Sequence, residues 1–179
     1  MFDEHFPLLV QHLANFVEIC DLEKYYAERD KEAVFKTTEE WGMKVMKEKF
    51  MPLVVEEITK LLPEWEELTN QSNGWVACHS IIVVWLSIND PLFTTLTPRD
   101  QNILKWSTLI HDIRKRQDPT YLGKDHIHPF RSGSSVLDIF CRMGLIKDCE
   151  EIETTKGLID ESVQPLSIDK EDYGKKLCT

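Results

Sequence analysis

Ile103–Lys115, "ILKWSTLIHDIRK", is an apolar helical run that ends in an adjacent histidine and aspartate. The run demands a buried helix. The pair at its end demands an explanation, because burying two ionisable groups costs several kcal/mol unless hydrogen bonds, solvent or a metal ion satisfy them. Immediately upstream, Thr97 is suited to be an N-cap, Pro98 to the first helical position and Asp100 to the first turn. A helix over about 98–115 follows, with His111 and Asp112 near its C-terminal end. Adjacent helical residues point about 100° apart. Both can therefore meet one ion only in a groove between helices or where the helix stops.

Working outward, "HSIIVVWLSI" (His79–Ile88) lies in a predicted helix over 75–89. Its β-branched run also suits a strand. Helix is preferred because His79, Ile82, Val83 and Leu86 fall on one stripe, and Pro91 stops it. Farther out, Leu9, Leu13, Phe16 and Val17 predict an amphipathic helix over 6–26. Trp41, Val45, Met46, Phe50, Val54 and Ile58 predict another over about 38–62, capped by Thr38 and kinked or split at Pro52. "TNQSNG" (Thr69–Gly74) reads as a break. On the other side, 117–133 reads as a polar loop carrying His126 and His128, followed by a helix over 134–145 with Gly144 near its end. Beyond Lys147 the chain is acidic and poor in apolar residues. No strand is predicted, so the fold class is all-α. The organisation expected is N-terminal helices over 1–70 packed on a core over 71–146, with an acidic segment over 147–179, compact as a whole.

The formal net charge of −10 argues against an extended nucleic-acid or anionic-membrane surface. No apolar run reaches the roughly 18 residues of a membrane span. The N-terminus is acidic where a secretory signal would be basic. Five cysteines with no CxxC pair support neither a disulfide framework nor a cysteine zinc site. A cytoplasmic protein is expected.

His79, His111, His126 and His128 fall within 50 residues together with Asp112. Imidazole with carboxylate suits zinc, iron, manganese, cobalt or nickel. Taken one at a time, a core histidine, a chance His–Asp pair and two solvated loop histidines account for them all. Only their convergence makes a site.

Three segments in order, "HSIIVVWLSI", "ILKWSTLIHDIRK" and "HPFRSGSSVLDIF" (His128–Phe140), resemble the HD-domain superfamily of metal-dependent phosphohydrolases over about residues 75–140. The resemblance implies an HD-like helical bundle. It implies His79, His111 and Asp112 as ligands of a divalent ion (manganese, iron, zinc, cobalt, nickel or magnesium), with His128, and more loosely His126, serving a second. It implies Lys115 as a phosphate contact. Arg114 stands where the family commonly has glycine and brings a cation to the mouth. The family's last, distal aspartate has no clear match. Asp138, Asp148, Asp160, Asp169 and Asp172 are available, and Asp160 in "GLIDES" is the best fit. The activity implied is hydrolysis of a nucleotide or other small phosphoester by a water that the ion activates, with Lys115, Arg114, Lys124 and Arg131 offsetting phosphoryl charge. An HD-type di-iron oxygenase, and a non-enzymatic regulatory or interaction module on the same scaffold, are the alternatives.

Overall fold

The computed structural model describes residues 1–21, 42–70, 74–116, 125 and 127–146. Every regular element among them is helical. The chain is therefore all-α, as its periodicity requires. No helix among the described residues is long and apolar enough to cross a membrane. Met1–Val136 form one unit and Leu137–Thr179 a second.

The predicted helix over 6–26 is broken, within its described part, into α1 (Phe2–His5), α2 (Pro7–Ala14) and α3 (Phe16–Ile19). Phe6 and Asn15 interrupt it with non-helical backbone. Phe2, Phe6, Leu9, Leu13 and Phe16 are buried, but Val17 is exposed because the break at Asn15 turns it away. At the start of α2, Pro7 removes one orphan N–H, and those of Leu8 and Leu9 donate to the two carboxylate oxygens of Glu57 at 2.9 and 2.8 Å. A distant acid thus caps a helix whose own N-cap, Phe6, has no capping side chain.

Pro52 acts where predicted. A wide-turned π-helix, α4 (Gly42–Phe50), gives way to α5 (Met51–Leu61), which has the proline in its first turn. There its missing N–H costs nothing. Met46, Phe50, Val54 and Ile58 make the buried stripe. The expected Thr38 cap and Trp41 lie outside the described residues. After α6 (Trp65–Asn70), Gly74 has φ +81° at the N-cap of α7 (Trp75–Ile88). A side chain there would be strained, and its Cβ would crowd the Thr69 carbonyl oxygen at 3.2 Å.

The helix over Trp75–Ile88 forms, but the stripe that predicted it faces outward. The buried side carries Val76, Ala77, Cys78, Ser80, Ile81 and Val84, while Ile82 and Val83 are half-buried and Leu86 is exposed. His79 therefore lies outside the apolar core, at the edge of α7. The Ser80 hydroxyl, which is buried, donates to the Val76 carbonyl oxygen at 3.1 Å, so it costs the core no unpaired group.

α8 (Pro98–Ile110) starts as read. Thr97 Oγ1 accepts from the Asp100 N–H at 3.2 Å and donates to the Asp100 carboxylate at 2.7 Å. Trp106, Leu109 and Ile110 are fully buried. The amino-terminal residues grip its outer flank. Trp106 packs edge-on against Phe2 and Phe6, with centroids 5.5 and 5.2 Å apart. The Phe2 N–H donates to Asn102 Oδ1 at 2.7 Å. α7 and α8 pack side by side, and this pairing sets the site.

α9 runs from His128 to Arg142, six residues earlier than the sequence suggests. Pro129 explains the start, since a proline in the first turn gives up an N–H that would be unpaired anyway. Its last described residues, in the second unit, end in a Schellman motif. Gly144 has φ +67°. Leu145 N–H donates to the Phe140 carbonyl at 2.8 Å and Gly144 N–H to that of Cys141 at 3.0 Å.

Candidate metal centre

α8 loses its α-helical bonding at Ile110. Tighter bonds follow, from Ile113 N–H to the Ile110 carbonyl at 3.0 Å and from Lys115 N–H to the Asp112 carbonyl at 2.8 Å. His111 and Asp112 thus sit where the helix stops, one of the two places at which neighbouring side chains can meet one point. Trp65 holds it from behind, its Nε1–H reaching the Leu109 carbonyl at 3.3 Å. That carbonyl belongs to the last turn, where no helical partner exists.

Asp112 is the centre. Its side chain is 3% exposed, whereas those of His79, His111 and His128 are 41%, 36% and 22% exposed. A buried carboxylate thus lies among three imidazoles that are themselves partly exposed to solvent. His79 Nε2 is 4.0 Å and His111 Nε2 3.6 Å from Asp112 Oδ2, and one ligand atom from each of the three falls within 4.8 Å of the others. The rings of His79 and His111 meet edge to face with centroids 5.3 Å apart. On the opposite oxygen, Oδ1, His128 Nε2 approaches to 3.0 Å. Lys115 Nζ donates to Oδ2 at 2.8 Å.

The protonation pattern is constrained. His111 Nδ1 lies 2.8 Å from the Thr108 carbonyl oxygen, and His128 Nδ1 is hydrogen-bonded to that of Asp125. Carbonyls only accept, so both Nδ1 atoms carry hydrogen, and Nε2 is the atom of each ring left for a proton or a cation. Both Nε2 atoms face oxygens of the Asp112 carboxylate. Acceptor against acceptor is repulsive unless a proton or a cation lies between them. Burial lowers the His79 pKa, with the positive charges of His111 and Lys115 adding to it against the opposing pull of Asp112, which keeps the ring neutral. Burial alone would raise the Asp112 carboxyl. The Lys115 hydrogen bond and the charges of His111, Lys115 and His128 outweigh it and hold the group below the usual carboxylate range. A neutral His79 imidazole beside an ionised Asp112 carboxylate is the state from which these two groups can ligate a metal.

The fit to an ion is chemical as well as geometric. Two ligand atoms about 2.1 Å from one tetrahedral ion lie about 3.4 Å apart. The His111–Asp112 spacing is close to this and the His79–Asp112 spacing slightly wider. His79, His111 and Asp112 can hold a metal ion.

The remaining sequence-derived candidates fall as follows. Arg114 does not meet the carboxylate. Its Nε donates to Ser135 Oγ at 2.8 Å and its N–H to Ser132 Oγ at 3.2 Å. Arg131 pairs with Asp125 and donates to the Arg114 carbonyl at 3.3 Å. His126, Lys124, Asp148, Asp160, Asp169 and Asp172 lie outside the described residues, and Asp138 lies in the second unit. Sequence reasoning missed Asp125, Thr108, Ser132 and Ser135. The only signal for Asp125 was its place three residues before His128. The other three act through main-chain or hydroxyl contacts that leave no pattern.

No family model matches the chain, and no curated protein or solved structure is significantly similar to it.

Proposed function

We propose that this protein is a metal-dependent phosphohydrolase acting on a nucleotide or another small phosphoester, in keeping with its sequence resemblance to the HD-domain superfamily. The observation that carries this reading is the convergence of His79 and His111 on the buried Asp112 carboxylate, with a partly exposed Lys115 beside it. His79, His111 and Asp112 would hold one ion. His128, on the other oxygen of Asp112, supports a second ion sharing that carboxylate. An imidazole-rich shell favours manganese, iron, cobalt, nickel or zinc over magnesium, which prefers oxygen ligands. Such an ion supplies Lewis acidity and a lowered pKa for water.

The chain's own residues supply the rest. Asp112 provides the negative charge that holds the ion. Lys115 is a flexible ammonium, 36% exposed, within reach of an incoming phosphoryl oxygen. Arg114 brings further positive charge to the turn after the His–Asp pair and would draw an anionic substrate to an otherwise acidic protein, whereas the charge of Arg131 is balanced by Asp125.

The test is elemental analysis of protein purified without chelator, followed by a panel of nucleotides and generic phosphoesters with added manganese. Metal near one equivalent or more per chain, lost in His111→Ala, together with phosphate release, is expected. Metal carried equally by wild type and His111→Ala would refute the shell. A second reading rests on the ion pair between Lys115 and Asp112, which already neutralises the carboxylate without metal and suits a non-enzymatic helical module. Wild-type protein that binds no ion and releases no phosphate would favour it.

A further inference from the structure

Asp125 is buried, and nothing in the proposed chemistry uses it. Yet it makes more contacts around the centre than any ligand requires. Its main-chain carbonyl oxygen accepts from His128 Nδ1. Its carboxylate accepts from the Arg116 N–H at 2.9 Å and the Ile127 N–H at 3.3 Å, and it pairs with the Arg131 guanidinium. Arg131 in turn reaches the Arg114 carbonyl at 3.3 Å. One side chain thus ties the turn that carries Asp112 to the first turn of the helix that carries His128. These are the two segments whose separation sets the 3.0 Å approach of His128 Nε2 to Asp112 Oδ1.

We propose that Asp125 is a positioning residue for the metal centre: its carbonyl fixes His128 with hydrogen on Nδ1 and a lone pair on Nε2, and its locked carboxylate holds that carbonyl in place. The inference deepens the proposed function and rests on His128 being a ligand. The physical reason is general. A ligating imidazole needs its second nitrogen committed to an acceptor, which sets both tautomer and ring orientation, and loss of such a partner costs about 10- to 100-fold in metal affinity. Here the acceptor is a backbone oxygen, so no substitution removes it directly. The Asp125 side chain is what keeps it aimed. The Arg116 and Ile127 N–H groups use different oxygens of the carboxylate, so asparagine at this position keeps an acceptor for only one of them and forfeits the charge that pairs with Arg131.

The test uses the full chain with zinc as probe and affinity read by competition with a chromophoric chelator. Asp125→Ala is expected to weaken zinc about 10- to 100-fold. Asp125→Asn should fall between it and wild type. Adding His128→Ala to Asp125→Ala should cost little more, because the first change already forfeits the ligand. In zinc-loaded protein, long-range proton–nitrogen NMR should show hydrogen on His128 Nδ1 in wild type and lose that pattern in Asp125→Ala. Arg131→Gln breaks the same lock from its other end and serves if Asp125→Ala does not fold. Additive losses from Asp125→Ala and His128→Ala, with the His128 tautomer unchanged, overturn the positioning role and leave the metal reading standing. Zinc affinity unaffected by His128→Ala but destroyed by Asp112→Asn overturns the role together with His128 as a ligand. Wild-type protein that takes up no zinc overturns both the role and the proposed function.

Discussion

Asp112→Asn separates metal binding from folding. Asparagine keeps the shape of the side chain and one oxygen for Lys115, but it removes the only negative charge in the group formed by His79, His111 and Asp112. In chelated protein the largest loss is a charge-assisted bond at 2.8 Å whose donor is 36% exposed, beside the weaker His111 and His128 contacts. Solvent screening reduces that to about 1 kcal/mol, from the 1.5–3 typical of bonds to charged groups. For a chain of this size, that is a fall in Tm of about 2–4 °C. With metal the balance changes. An ion present at 100 times its Kd stabilises wild type by about 2.7 kcal/mol, a rise of about 5–11 °C, which the variant should lose almost entirely. Differential scanning fluorimetry with EDTA and with excess manganese or zinc reads both quantities on the same samples. A variant that retains the metal-induced rise would refute the argument, since the ion would then be held by groups other than the buried carboxylate.

Further outcomes follow from other contacts. Lys115→Met removes the ammonium that shares Asp112 with any ion, so metal affinity should rise about three- to tenfold while phosphoester turnover falls; calorimetric titration reads the first and phosphate release the second. Trp65→Phe strips the Leu109 carbonyl of its donor in a fully buried setting and should cost about 1–3 kcal/mol in urea unfolding. Burial raises the thiols of Cys20 and Cys78 to about 12 and about 11. Neither should alkylate at pH 8 in the native protein, and both should react once it is denatured, as mass spectrometry of labelled peptides can check.

Much of this architecture was legible because the decisive signals are local. Thr97, Pro98 and Asp100 start α8 by chemistry that acts within one turn, and Pro52 divides a helix by a missing N–H. The His111–Asp112 pair announced a site because its polarity contradicts the run before it. Other features depend on tertiary contacts. Glu57 caps α2 from nearly fifty residues away. The face of α7 was misjudged because its residues are apolar almost all round, so periodicity alone cannot choose the buried side. The early start of α9 was hidden by "HPFRSG", which reads as loop until Ser132 and Ser135 are seen to bond Arg114.

The two sides of the site are built from different materials. His79 rides on α7 and His111 caps the end of α8, two helices whose buried residues include Ile81, Val84, Leu109 and Ile110. His128 rides on a helix whose inward face, from His128 to Ser135, is fastened by hydroxyls, guanidinium groups and the Asp125 carboxylate. Guanidinium chloride competes for such fastenings as both an ionic and a hydrogen-bonding solute, while urea acts without charge. At matched denaturing strength, the chloride salt should detach His128 from Asp112 before His79 and His111 part, an order that imidazole NMR signals followed through both titrations would read.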